Sequence, residues 1–164
     1  MKTITATELN NCLASHKLWV ETKGKQGTRA DLYCANLTAI DLTGAYLTGA
    51  DLTGANLNGA NLKGANLTDA NLDCANLTGA SLEGADLRDA NLEGANLRGA
   101  YIKDADLRGA NFTDVDLTGT ILEKKAEKQT EVVSVKAESS IRSEIEAIAK
   151  KHGMKVDSIA LSFL

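Results

Sequence analysis

Residues 45–69 read Ala-Tyr-Leu-Thr-Gly, Ala-Asp-Leu-Thr-Gly, Ala-Asn-Leu-Asn-Gly, Ala-Asn-Leu-Lys-Gly and Ala-Asn-Leu-Thr-Asp, five consecutive copies of one five-residue unit. The unit runs without insertion or deletion from residue 30 to residue 124, which gives 19 copies. Its central residue is Leu in 17 copies, and Ile102 and Phe112 are the exceptions. Ala stands two places before the centre in 16 copies, Asn or Asp one place before it in 15, and Gly two places after it in 11. This repeat decides the fold.

A period of five fits neither regular secondary structure. On an α-helix, residues five apart are rotated by about 140°, so the leucines would form no apolar stripe. On a continuous strand, an odd period would place successive leucines on opposite faces. The pattern therefore predicts a chain that bends once per unit and coils, with coils stacked by backbone hydrogen bonds about 4.8 Å apart. We expect Leu52, Leu72, Leu92 and Phe112 to fill the axis, while the small Ala side chains let the walls approach.

The last place of each unit is predicted to form the corner of the coil. Gly there suits the position of a type II turn that needs a positive φ. Asp, which stands at this place in four units, tolerates such a conformation better than most residues. Cys34, Ala39, Cys74 and Lys124 tolerate it poorly, so we expect a different turn at these corners.

The charge pattern leaves the number of sides per coil open. With four units per coil, Lys63 stacks on Glu83, but Arg88 stacks on Arg108. With three units per coil, Asp73 meets Arg88 and other unlike pairs form, together with one like-charged contact. Exposed ion pairs contribute only ~0–1 kcal/mol each, so these contacts do not choose between the two coils.

The unit Ala-(Asp/Asn)-Leu-x-x, as in residues 50–54 and 95–99, resembles the repeat of the pentapeptide-repeat protein family over 95 of the 164 residues. The resemblance implies an all-β solenoid, a right-handed quadrilateral β-helix with four units per coil. The 19 units would then make about 4.75 coils with a length of roughly 23 Å. In that geometry Cys34 and Cys74 share a corner column about 9.6 Å apart, beyond the ~7 Å limit for a disulfide, so free thiols are expected. Tyr46 and Tyr101 would lie on different faces, as scattered surface tyrosines.

The segment that precedes the repeat, residues 1–29, is predicted to be an N-terminal helical cap. A stacked coil exposes backbone edges and an apolar axis at each end, and these favour aggregation unless they are covered. Apolar residues in this segment recur near helical spacing, and Thr5 or Thr7 can serve as the N-cap. We expect Trp19 to plug the axis of the first coil.

Two further segments follow the repeat. Residues 125–140 are rich in Lys and Glu and are interpreted as a charged linker. Residues 141–164 are predicted to form a helical, apolar tail, because Ile141, Ile145 and Ile148 make one stripe. The tail cannot bury this face alone, so it packs either on the last coil or on a second chain. In gyrase-targeting members of the family a C-terminal element is associated with dimerisation, which makes a homodimer through the tail an expectation by position.

The sequence offers no chemistry for a catalytic, metal or cofactor-binding site. His16 and His152 have no partner at metal-ligand spacing, and no phosphate-binding loop motif occurs. We therefore expect no enzyme activity and no cofactor. No apolar run approaches the ~18 residues of a membrane helix, so no membrane partner is expected. The odd, sparse set of three cysteines and the absence of a secretory signal favour a cytoplasmic location.

Two non-enzymatic functions remain after these exclusions. The first is a rigid scaffold for protein–protein interaction with an unidentified protein partner. The alternative is an acidic DNA mimic that acts on DNA gyrase or another DNA-binding protein. The net charge divides into +3 for residues 1–29, −8 for residues 30–124 and +1 for residues 125–164. The repeat thus carries about 0.35 charges per Å against about 0.6 for duplex DNA, and direct nucleic-acid binding is not expected.

Overall fold

The computed structural model describes residues 2–120, and these form a stacked coil with an N-terminal helix. Parallel bridges join residues that lie four units apart all along the repeat, as in Asp51 with Asn71 and Asn71 with Asn91. Each coil therefore contains four units, which resolves the choice between three and four sides. Leu52 N donates to the Asn71 carbonyl (2.7 Å) and Asn71 N to the Ala50 carbonyl (2.9 Å), so neighbouring coils are joined on every side in this way.

The corners are hydrogen-bonded turns of one kind. The N–H of the Ala that opens each unit donates to the carbonyl of the preceding central residue, as from Ala55 to Leu52 at 3.0 Å. The residue before that Ala has a positive φ, 62° at Gly54. Only the second of the two turn residues has this sign, which agrees with the predicted type II turn.

The expectation of a different turn at the non-glycine corners is wrong at the three corners described. Cys34, Ala39 and Cys74 have φ values of 51°, 54° and 55°, the same left-handed conformation as the glycines. Each of their N–H groups donates to the next coil, as from Cys74 to the Glu93 carbonyl at 2.8 Å. The left-handed conformation costs an L-residue roughly 1–2 kcal/mol, and the register of the stacked coils imposes it nonetheless. Lys124 lies outside the described residues.

The core is one continuous column of inward-facing side chains. Leu52, Leu72 and Leu92 are 0% exposed and Phe112 is 2% exposed. The alanines that open most units belong to the same core cluster. Because the central residue and the Ala two places before it point the same way, as in a strand, both face the axis.

The N-terminal segment begins with strand β1 (Lys2–Thr3), continues as helix α1 (Ala6–Glu21), and then enters the coil, whose first named strand is β2 (Ala35–Asn36). β1 pairs in parallel with β2 and so extends one side of the coil, a pairing that the sequence pattern does not predict. Thr5 is the N-cap of α1. Its hydroxyl accepts the Glu8 N–H and the Glu8 carboxylate accepts the Thr5 N–H, which makes a capping box.

Trp19 was expected to plug the axis of the first coil, but the buried residues of α1 are Leu9 and His16. Leu9 and His16 are buried, at 4% and 0% exposed, and Leu9 belongs to the core cluster. Trp19 lies further along the helix, half-buried, and stacks on His16 with ring centroids 5.5 Å apart. The linker predicted at 125–140 and the tail predicted at 141–164 lie outside the described residues.

Candidate functional site

The outward-facing side chains of each unit come from the places just before and just after the centre. In most units the Asn or Asp before the centre accepts a hydrogen bond from the N–H two residues later, as Asp51 Oδ1 does from Thr53 (3.1 Å) and Asn96 Oδ1 from Arg98 (3.0 Å). This local bond is the physical reason for Asn and Asp at that place, since both residue types make such turns readily. The side chain at the place after the centre is not required for this hydrogen bond, and its residue type varies.

Asparagine side chains also bond from coil to coil along two faces. Asn111 Nδ2 donates to Asn91 Oδ1 (3.0 Å), and Asn91 Nδ2 donates to Asn71 Oδ1 (3.1 Å). On the other face Asn76 Nδ2 donates to Asn56 Oδ1 (3.1 Å). These half-buried amides are committed to the ladder, so they are structural groups rather than binding groups.

A charged cluster forms where Asp86 and Arg88 stack on Asp106 and Arg108, as the four-unit register requires. Arg88 Nη2 lies 2.6 Å from Asp86 Oδ2, Arg88 Nε lies 3.6 Å from Asp106 Oδ2, and Arg108 Nη2 lies 2.6 Å from Asp106 Oδ2. Hydrogen bonds from the Arg88 side chain hold the pKa of Asp86 at about 2. Both guanidinium groups are thus engaged by carboxylates of their own units, and this cluster has little capacity left for a phosphate.

A shallow cleft lies on the next face around the coil. Ser81 is small and leaves a gap between Asn61 and Tyr101, with the corner Gly79 on one side and Glu83 on the other. The cleft volume is about 180 Å³, below the ~300 Å³ that is the usual lower bound for small-molecule sites. Glu83 is also paired with Lys63, its Oε2 lying 3.1 Å from Nζ. The cleft therefore fits at most a single side chain of a larger partner.

A different surface lies where α1 meets the first coil, and we call it the cap patch: Lys17, Trp19, Arg29 and Tyr46. The Lys17 ammonium lies 5.2 Å from the centroid of the Tyr46 ring. Trp19 lies beside the corner at Gly49, where an added Cβ would be 4.0 Å from Trp19 Cζ3, and Arg29 Nε donates to the Gly49 carbonyl. Tyr46 is 50% exposed. The cap patch combines aromatic rings with positive charge on an otherwise acidic molecule.

Sequence reasoning missed the cap patch. It places Tyr46 and Tyr101 on different faces, and the structure agrees, since Tyr46 pairs with Asn66 and Tyr101 with Ser81. The register of the repeat says nothing about where α1 lies, so it could not reveal that Lys17 covers Tyr46. The available signal was the concentration of basic residues before residue 30.

The thiols and imidazole of the described residues are not arranged for chemistry. Burial raises the pKa of Cys12, and a hydrogen bond from Cys74 Sγ to Asp73 Oδ1 raises the pKa of Cys74, so both thiols are protonated near neutral pH. Cys34 is likewise a free cysteine. Within residues 2–120 no group of three or more His, Cys, Asp and Glu side chains is placed to hold a metal ion. His152 lies outside this range.

The family model of pentapeptide repeats matches the chain in eight copies, which cover residues 30–69, 45–84, 70–109 and 85–123. These matches span more than half of the chain and coincide with the stacked coil. The family resemblance stated from the sequence is thereby confirmed.

Solved structures that match the chain include pentapeptide-repeat proteins. Rfr23 from the cyanobacterium Cyanothece 51142 is 38% identical with a TM-score of 0.55, and the match covers 57% of this chain and 63% of that one. HetL from the cyanobacterium Nostoc sp. PCC 7120, described as involved in the regulation of heterocyst differentiation, is 42% identical with a TM-score of 0.39, covering 58% of this chain and 48% of HetL. QnrB1, a plasmid-mediated fluoroquinolone resistance protein, is 22% identical with a TM-score of 0.38, covering 82% of this chain and 75% of that one.

The match thus spans less than two thirds of Rfr23 and about half of HetL. The pentapeptide repeats and the similarity to Rfr23 imply a right-handed quadrilateral β-helix. No curated protein matches the chain. Over residues 2–120, no helix has both the length and the apolar character needed to cross a membrane.

Proposed function

Because this chain belongs to the pentapeptide-repeat family, we propose that it is a rigid, non-enzymatic scaffold for protein–protein interaction. One observation carries the proposal: the inward places of the coil are nearly invariant, whereas the outward place after the centre varies freely. That place holds, among others, Tyr33, Asn58, Asp73 and Arg98 within a single uninterrupted hydrogen-bonded stack. Such a framework keeps its shape while its outward side chains specify a partner.

Rigidity gives the scaffold a thermodynamic advantage in binding. Association loses free energy when side chains and loops become ordered at the interface, and a preordered surface avoids much of that loss. Here the outward backbone is held by bonds to the coils above and below, as at Leu72 N to the Asn91 carbonyl (2.7 Å). A partner therefore meets a surface whose backbone is already fixed.

The finer architecture belongs to the same proposal. The 19 units would make about 4.75 coils, with residues 1–29 covering one end and the tail, residues 141–164, covering the other. The tail would alternatively join two chains into a homodimer, with residues 125–140 as the linker. A cytoplasmic location is proposed on the cysteine count alone.

The acidic DNA mimic is the alternative, and the net charge of −8 in the repeat supports it. Several carboxylates that would imitate phosphates are engaged by basic residues of the coil, among them Asp86, Asp106 and Glu83. A mimic needs a continuous negative surface, so these pairs weaken the alternative. It predicts inhibition of gyrase supercoiling by the purified protein, and an unchanged supercoiling rate would exclude it for gyrase.

The scaffold proposal is tested by affinity capture from extract of the cells that naturally make the protein. The baits are the full chain, residues 1–124, and a full-chain variant with Arg88→Glu and Arg108→Glu on one face. A bait with Leu72→Asp, which disrupts the core, controls for capture by unfolded protein. We expect the full chain to capture a reproducible set of proteins that the Leu72→Asp bait does not capture.

Loss of those proteins from residues 1–124 would place the function in the tail. Loss only from the arginine variant would place the partner on that face. If the folded baits retain no protein that the unfolded bait does not, the scaffold proposal is wrong.

A further inference from the structure

The cap patch carries a more specific inference, which rests on the proposed scaffold function. We infer that Lys17, Trp19, Arg29 and Tyr46 form the docking site for a short acidic segment of a partner protein, one that brings an apolar side chain with its carboxylates. The continuity of the patch, its charge, its apolar surface and its rigidity each support this docking site.

The four residues form one continuous surface. Lys17 lies over the Tyr46 ring, and Arg29 donates to the carbonyl of Gly49. Trp19 lies beside the same corner, where a Cβ added at Gly49 would be 4.0 Å from Trp19 Cζ3. Tyr46 and Gly49 belong to one repeat unit, so the first coil supplies the floor and α1 with its following loop supplies the wall. Two segments that are distant in the sequence are needed to complete the patch.

The positive charge of this end is largely uncompensated by the chain itself. Residues 1–29 carry a net charge of +3. Lys17 has only a distant partner, Glu21 at 3.8 Å. Lys23, Lys25 and Arg29 are exposed and form no ion pair with any carboxylate of residues 2–120. Asp51 is near enough to Arg29 to feel its charge: burial opposes the shift, but hydrogen bonds from Thr53 and the Arg29 charge lower the pKa of Asp51. Arg88 and Arg108 of the coil are each held by a close carboxylate of their own unit, whereas Lys23, Lys25 and Arg29 have no such partner within residues 2–120, so the cap end attracts an anionic partner.

The exposed apolar surface is concentrated at the same end. Between residues 2 and 120, the large apolar side chains that are well exposed are Leu18, Tyr33 and Tyr46, at 39%, 56% and 50%. The rest of the outward surface is mainly Asn, Asp, Thr and charged residues. Tyr, Trp and Arg are the residue types that dominate binding energy at interfaces. The cap patch contains all three, so the partner's anchor has to include an apolar group.

The aromatic ring that α1 contributes to the wall, Trp19, is already fixed in position. Trp19 stacks on His16, which is fully buried and accepts a hydrogen bond from Ala30 N at Nδ1 (3.0 Å). The loop after α1 passes beside the ring at Gly24, where an added Cβ would lie 3.3 Å from Trp19 Nε1. A ring held from two sides loses little freedom on binding, which favours affinity.

The charge of the neighbouring coil limits the partner to a short segment. The repeat carries −8, and it begins directly after Arg29. A nucleic acid would continue past the cap and meet this negative surface, so its phosphates would be repelled. A segment of a few residues can place its carboxylates over Lys17 and Arg29 and end before the acidic faces.

Trp19 is the only tryptophan of the chain, so its fluorescence reports directly on the patch. The 164-residue chain is titrated with four probes: a peptide of Glu and Asp around one Leu, the same peptide with Ala for Leu, the same peptide with Lys for the acidic residues, and a single-stranded DNA oligonucleotide. We expect a saturable change in emission with the first peptide and weaker binding of the second. The basic peptide and the DNA should give no change.

Two substitutions have matched controls in the repeat. Tyr46→Ala and Lys17→Glu should each lower the affinity for the first peptide about tenfold or more, as the loss of an interface hot spot does. Tyr101→Ala removes a tyrosine from the same place of another unit, and Lys63→Glu makes the same charge reversal elsewhere. Both controls should leave the affinity unchanged, and circular dichroism checks that all four variants fold.

Three results would overturn the site: no acidic peptide changes the Trp19 emission, the controls weaken binding as much as the patch variants, or DNA binds more tightly than the peptide. The partners captured in the scaffold experiment separate this failure from that of the proposed function. If Tyr46→Ala and Lys17→Glu retain those partners fully, the scaffold function stands and this site is wrong.

Discussion

At the scale of single residues, the corner place shows how stacking modifies a local preference. Cys34 and Cys74 lie one coil above Gly54 and Gly94, and each Sγ projects over the glycine below it. A Cβ added at Gly54 or Gly94 would lie 3.1 or 3.2 Å from that sulfur. In this column each cysteine is therefore accommodated by the glycine one coil further along, whereas in another column Asp69 and Asp89 occupy successive corners.

Gly94→Ala and Gly79→Ala separate two costs of a side chain at a corner, the backbone strain of a positive φ and the steric contact with the neighbouring coil. Both glycines have nearly the same φ, 63° and 64°, but a Cβ at Gly79 meets nothing within 4 Å. We expect Gly79→Ala to cost about 1 kcal/mol from backbone strain alone, and Gly94→Ala to cost more because Cys74 Sγ must move. Urea denaturation measures both. In a Cys74→Ala background the two costs should become equal, and a persisting difference would contradict the steric explanation.

His16 makes the stability of the cap dependent on pH. Burial lowers the pKa of His16, the neighbouring Thr48 backbone opposes this, and the Arg29 charge lowers it further. Its Nδ1 accepts the Ala30 N–H, so this nitrogen cannot carry a proton in the folded cap. Because the folded pKa lies below the unfolded value of about 6.5, the unfolded chain binds the proton better, and stability falls as the pH drops below about 6.5.

The measurement is unfolding of the cap followed by Trp19 fluorescence at pH 7.5 and at pH 5.5, since Trp19 stacks on His16. We expect a lower midpoint at pH 5.5 in the native protein and in His152→Gln. His16→Gln should unfold more easily at pH 7.5 but lose the dependence between these two values. If the unfolding midpoint of His16→Gln still depends on pH, the pH dependence comes from other groups.

At the scale of elements, the stability of α1 comes from local capping and, to a larger extent, from packing against the coil. The capping box of Thr5 and Glu8 satisfies two N–H groups at the start of the helix. Leu9 and His16 hold the helix against the coil. Packing of an apolar face usually contributes more to a helix in a protein than its propensity does, so loss of the cap should fray α1 without detaching it.

Thr5→Ala should destabilise the N-terminal segment by about 1 kcal/mol, the usual cost of losing an N-cap side chain. Thr7→Ala is the matched control, because Thr7 lies inside α1, is exposed, and was the other candidate for the N-cap. Hydrogen exchange of the amides of α1 measures the effect. Faster exchange in the first turn is expected for Thr5→Ala alone, and an equal effect of Thr7→Ala would argue against the capping box.

At the scale of the whole molecule, the repeat made most of the fold predictable, because the place of a residue within its unit determines whether its side chain faces inward. Leu72 and Phe112 lie in the core where the periodicity puts them. The conformation of Cys34 was not predictable from its residue type, since the neighbouring coil imposes it. The packing of Trp19 and the cap patch depended on how a non-repeating segment docks on the coil, and no periodicity in the sequence encodes that placement.

The stacked coil should respond to a core substitution according to its position along the axis. In a repeat solenoid each coil contacts only its neighbours, so stability is a sum of coil and interface contributions. Leu72 is 0% exposed in the middle of the stack, whereas Leu117 is only partly buried in the last coil described. Leu72→Ala should cost about 3 kcal/mol or more through the cavity it leaves, and Leu117→Ala should cost less.

Hydrogen exchange under native conditions distinguishes the two variants by where protection is lost. Leu117→Ala should raise exchange only near the end of the stack, in residues 101–120. Leu72→Ala weakens two coil interfaces at once, so amides on both sides, such as Leu52 N and Leu92 N, should exchange faster while those near residue 117 change less. If Leu72→Ala raises exchange uniformly along the chain, the coils unfold as one cooperative unit, and the nearest-neighbour description of this protein would have to be abandoned.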